Sequence, residues 1–110
     1  MMWFIGVMAM MVACSEEARL SPLPEGATIV AFGDSLTFGT GVTEMHSYPE
    51  VLAQLSGYQV IRSGVPGEVT SAGLSRLPKV LSEHKPALVI LGLGGNDILR
   101  RKSKSSIKQN

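Results

Sequence analysis

Apolar positions after residue 27 of this 110-residue chain fall into three short runs separated by two amphipathic stretches. The runs are residues 28–32 (Thr-Ile-Val-Ala-Phe), 58–61 (Tyr-Gln-Val-Ile) and 87–93 (Ala-Leu-Val-Ile-Leu-Gly-Leu). A short apolar run closed by glycine reads as a buried parallel strand, although a buried helix fits the same pattern. Between the first two runs, residues 48–56 are apolar at 48, 51, 52 and 55, the spacing of one helical face, with Gly57 placed to cap the end. Between the second and third, Leu74, Leu77, Val80 and Leu81 share a face over residues 70–85, and Pro86 marks the exit. Pro78 inside that stretch predicts a kink or the start of a second helix. The runs recur about every thirty residues, the repeat of strand–helix–strand units. The prediction is an α/β fold with a parallel sheet, its third strand central and covered on both faces.

Earlier in the chain the pattern changes. Residues 3–13 form an apolar run too short to span a bilayer and suited to the hydrophobic region of a secretory signal. Met-Val-Ala-Cys at 11–14 resembles the lipobox of bacterial lipoproteins, in which Cys14 would be lipidated. Met11 stands where leucine is usual, and no Lys or Arg precedes the run. Residues 15–27, polar and holding Pro22 and Pro24, then read as a tether to a domain over 28–110. The expected location is outside the inner membrane, in the periplasm, with membrane contact through the anchor. Charge adds little: the formal net charge of +1 gives no reason to expect a nucleic-acid partner. One cysteine excludes an intrachain disulfide.

Candidate chemistry lies where the strands stop. The first run ends on Gly33-Asp34-Ser35-Leu36, which puts Ser35 at the carboxyl edge of the sheet, where open α/β folds form their crevices. Gly-Asp-Ser is also ordinary turn and helix-capping chemistry. Every crossover returns a parallel strand to the same side. The loops after runs two and three, with Gly64, Gly67 and Asn96, are therefore expected to meet Ser35 at one rim. Acyl transfer by a serine needs amide donors aimed at the developing oxyanion, and Ser35 N–H, a glycine N–H and the Asn96 amide could supply them.

Gly33-Asp34-Ser35-Leu36, Ser63-Gly64-Val65-Pro66-Gly67-Glu68 and Gly94-Gly95-Asn96-Asp97 together resemble the first three sequence blocks of the SGNH (GDSL) hydrolases. Tyr48-Pro49 and Gly73-Leu74-Ser75-Arg76-Leu77-Pro78 make the chain most similar to the thioesterase I, lysophospholipase L1 and arylesterase group. The resemblance covers roughly residues 28–100 and implies a flavodoxin-like three-layer sandwich, of which only the first three strands are present. It implies Ser35 as nucleophile and Gly67 and Asn96 as oxyanion donors, with Asp34, Gly64 and Gly95 around the substrate. Gly64 would serve structurally at the loop's start, and Asp34 and Asp97 would orient loops. The implied substrates are acyl esters or thioesters, with no metal or organic cofactor.

The family's base is a histidine in a C-terminal Asp-x-x-His block, and neither His46 nor His84 follows an Asp by three residues. The chain therefore reads as the N-terminal part of such a domain and is expected to have little activity alone. Residues 100–110 carry five Lys and Arg and are expected to be a polar loop entering a helix. A carbohydrate O-acetyl esterase, a non-catalytic lipoprotein and a nucleotide-binding flavodoxin-like module are the alternatives. For the last, Asp97 stands where the dinucleotide fingerprint wants a small residue.

Overall fold

The computed structural model describes residues 19–110. The expected secretory run, Cys14 and the start of the tether lie outside the described residues. The rest of the tether is irregular and rests on the domain: the Leu23 carbonyl accepts a 3.0 Å hydrogen bond from the Tyr58 hydroxyl.

Strand β1 (Thr28–Gly33) pairs in parallel with β2 (Gln59–Gly64) on one side and β3 (Leu88–Gly92) on the other, giving the order β2-β1-β3. This is the opening of the flavodoxin-like arrangement. Right-handed crossovers in that order set α2 (Tyr48–Ser56) and α3 (Thr70–His84) on opposite faces of the sheet. Val30 and Phe32, on one face of β1, are fully buried with Val80 of α3, and Leu77, Val89 and Leu93 pack around them. Ile29 and Ala31 on the other face are buried as well, so β1 is covered on both sides.

That position was expected of β3. Its apolar run instead forms an edge of the described sheet, half-buried, with Leu91 66% exposed. An apolar run records that a strand suits a covered site; it does not record which strand lies beside it. The second run also ends later than its hydrophobicity suggests. β2 continues through Arg62, Ser63 and Gly64, because the ladder to Ala31, Phe32 and Gly33 uses backbone groups alone.

Helix α2 has the predicted bounds, and Gly57 closes it in the left-handed conformation at φ 74°. Pro78 does not split the second stretch, for α3 runs unbroken through it, and Lys85 ends it at φ 43°. The glycine-bearing loop after β1 opens with a four-residue helix, α1 (Ser35–Phe38), and contains a 3₁₀ turn at Glu44–His46. Two short helices finish the chain, α4 (Gly95–Leu99) and α5 (Lys104–Gln109).

Candidate active site

All three strands end on glycines held in one register row, Gly64 beside Gly33 beside Gly92. A side chain at Gly33 would collide with the Thr37 hydroxyl and would come within 2.7 Å of the Gly92 carbonyl. One at Gly64 would strike the α1 backbone at Phe38 N and lie 2.7 Å from the Asp34 carbonyl. The first helix can therefore lie directly on the strand ends, and Ser35 is its first residue. The far end of α1 is held by Arg62, whose Nη1 donates to the Phe38 carbonyl at 2.6 Å. Gly64 was expected near the substrate as well as in a structural part. It lies beneath α1, whose backbone fills the space that a side chain would take.

Asp34 caps α1: its Oδ1 accepts from Leu36 N–H at 3.0 Å, and the residue is 6% exposed. Ser35 N–H, as a first-turn amide, has no partner within the helix and none elsewhere among the described residues. The loop after β2 is a turn in which Glu68 N–H donates to the Val65 carbonyl at 3.1 Å. Pro66 and Gly67 (φ 76°) take its central positions, the pairing that a type II turn demands. That geometry leaves Gly67 N–H outside the turn's own hydrogen bond, and it has no other partner among the described residues. Arg100 fixes the other side of this glycine, donating to its carbonyl at 3.0 Å.

Asn96 completes the row. Gly94, at φ 114°, turns the chain from β3 into α4 and places Asn96 in the helix's first turn. Its Nδ2 donates to the Glu68 carbonyl at 3.1 Å and reaches Asp34 Oδ2 at 3.5 Å. Both neighbours are acceptors, so the amide must present its nitrogen to them. One side chain thus touches the residue before Ser35 and the residue after Gly67.

Asp97 does not face this rim. Wholly buried, it accepts from Thr70 N–H at 2.9 Å and from the Thr70 hydroxyl at 2.7 Å, joining α4 to the start of α3. Burial pushes its carboxyl up, but the two Thr70 hydrogen bonds, its own amide and nearby Lys102 outweigh that and hold it below the usual value.

Next to Ser35 lies a cleft of about 380 Å³ lined by Asp34, Leu36, Thr37, Tyr48, Gly92, Leu93 and Gly95. Gly95 sits in its wall, while Gly67 is not among its lining residues. Tyr48 is set by a 3.1 Å hydrogen bond between its hydroxyl and that of buried Thr37. Neither histidine partners the Ser35 hydroxyl. Exposed His46 is bonded through Nδ1 to the Thr43 hydroxyl at 2.6 Å. His84 ends α3, at the edge where strands begin. Among the described residues no cluster of His, Cys, Asp and Glu suits a metal ion.

Two charged residues went unremarked as site residues. Glu68 is 7% exposed and is paired with Arg76 of α3. Glu68 lies in the loop before α3 and Arg76 within the helix, so no single element's period links them.

The family model for the GDSL-like lipase/acylhydrolase family matches residues 31–110. Esterase TesA of Pseudomonas aeruginosa is 31% identical over 102 residues, covering 88% of this chain and 51% of that protein. The thioesterase 1/protease 1/lysophospholipase L1 of Escherichia coli K12 is 36% identical over 75 residues, covering 66% of this chain and 36% of that protein. Among solved structures, AlinE4, an SGNH-hydrolase family esterase, superposes with a TM-score of 0.71 at 40% identity, over 80% of this chain and half of that one. The matches span about a third to a half of these relatives' own length. All three glycine-bearing strand ends fall within the matched stretch, and the chain belongs to the GDSL-like lipase/acylhydrolase family.

Proposed function

We propose that this chain carries the nucleophile and oxyanion hole of a serine hydrolase acting on acyl esters or thioesters. The observation that carries the reading is the reach of Asn96 Nδ2 to both Asp34 and Glu68. That contact ties the residue before Ser35 to the residue after Gly67, which supports a common site for the Ser35 hydroxyl and the three amide donors. In the proposed reaction, Ser35 Oγ attacks the acyl carbon and the carbonyl oxygen takes up the negative charge. Ser35 N–H, Gly67 N–H and the more loosely held proton of Asn96 Nδ2 then receive that oxyanion. Each such donor contributes about 3 kcal/mol to the transition state.

The acyl chain fits the apolar part of the neighbouring cleft, between Leu36, Leu93 and Tyr48. The serine proton must leave to a base, and neither histidine is placed to take it. The 110 residues alone should therefore turn over p-nitrophenyl esters far more slowly than a serine hydrolase with a base beside its nucleophile. What they retain is the catalysis a triad enzyme keeps without its base, about 10³- to 10⁴-fold over water.

Phosphonylation by a fluorophosphonate at mildly alkaline pH tests the reading. One adduct mapping to Ser35 is expected. Stabilisation by a nucleotide with no adduct would favour a binding module instead. Comparing acetyl with longer acyl esters separates a carbohydrate O-acetyl esterase from a fatty-acyl hydrolase.

The Met-Val-Ala-Cys stretch supports a further part of the reading, a periplasmic protein held to a membrane by lipid on Cys14. Bacteria expressing the chain and fed labelled palmitate should label it, and Cys14→Ser should abolish the label. Equal labelling of both would refute the anchor.

A further inference from the structure

We infer that Arg76 is the positioning residue of the oxyanion hole, an inference that rests on the hydrolase reading above. Its guanidinium meets the ends of β1 and β2 and the loop that follows β2. Nε and Nη2 grip the Glu68 carboxylate at 2.9 and 2.7 Å, a bidentate pair. Nη1 donates to the Ser63 hydroxyl at 2.6 Å and Nη2 to the Ser63 carbonyl at 3.2 Å. Nη2 also lies 3.5 Å from the Gly33 carbonyl. The guanidinium carbon sits 4.0 Å from the centroid of the Phe32 ring, which closes the remaining side.

Each anchored group is a short step from a proposed donor. Gly33 is two residues before Ser35, and Glu68 directly follows Gly67. The Glu68 carbonyl is where Asn96 Nδ2 lands. A shift of Glu68 would carry the Gly67 amide and the Asn96 amide away from Ser35 together. Lysine keeps the charge but cannot span these groups, because only arginine presents a rigid planar fork of donors. Misplacing a reacting group by about 1 Å costs on the order of a hundredfold in rate.

The test uses the whole 110-residue chain as wild type, Arg76→Lys and Arg76→Ala. It reads the maximal rate of Ser35 phosphonylation, the half-saturating reagent concentration, the thermal midpoint and amide exchange over residues 64–69. Arg76→Lys should lower the maximal rate by about a hundredfold. The half-saturating concentration and the thermal midpoint should stay near wild type, and exchange in the loop should quicken. Methylguanidinium should restore a large part of the rate to Arg76→Ala. An Arg76→Lys rate within a few-fold of wild type overturns the inference. So does a rate that falls only in step with the thermal midpoint. If the wild type shows no adduct at Ser35, the hydrolase reading fails. Loop exchange then decides the positioning separately: quickening in Arg76→Lys upholds it, and unchanged exchange overturns it.

Discussion

Asp34 and Asp97 are both buried carboxylates, and each accepts from one backbone amide and one side chain. Asp34 caps the helix that begins with Ser35, and Asp97 caps the start of α3 through Thr70. The pH dependence of Asp97 follows from its carboxyl lying below the ordinary 3.8 in the folded state. A group whose folded value is depressed stabilises fully above its unfolded value and loses that contribution as pH falls through the folded one. Urea midpoints should therefore drop for the wild type below about pH 4, and Asp97→Asn should remove part of that drop. An equal drop in both would assign the acid sensitivity elsewhere. The candidate residues stood out in the sequence because their neighbours are glycines, prolines and acids with definite conformational uses. The Pro66-Gly67 pair predicts its own turn. Arg76 was not legible, because its partners lie on three segments and contact across a fold leaves no local trace.

Among the elements, β1 and α2 could be read almost to the residue, since a glycine marks the end of each. β2 could not, because Arg62 and Ser63 belong to the ladder through backbone and to the site through side chains. The placement of α1 on β2 makes a direct prediction. Gly64→Ala has no space for its methyl without lifting α1, and overpacking of this kind costs about 1–3 kcal/mol. Denaturant unfolding of the variant should register that loss, and phosphonylation of Ser35 should slow beyond what the lost stability explains. A variant as stable and reactive as wild type would mean that α1 does not rest on the strand end. The ion pair of Arg76 with Glu68 works at the same scale: it binds α3 to the loop and both to the strand ends.

Over the whole molecule, the order β2-β1-β3 could be foreseen only through the family resemblance. Hydrophobic runs and thirty-residue spacing permit several parallel orders, and the choice between them is made by crossovers and by how α3 packs on Phe32 and Val30. Once that order holds, the three strand ends share an edge, and turns from residues 33–36, 64–68 and 94–97 meet. The most direct test of that convergence is the rate of Ser35 phosphonylation in wild type and in Asn96→Ala, with thermal midpoints measured alongside. Loss of one oxyanion donor should slow the reaction about 10²- to 10³-fold while the midpoint stays close to wild type. An adduct that forms on Ser35 equally fast without the Asn96 amide would contradict the account.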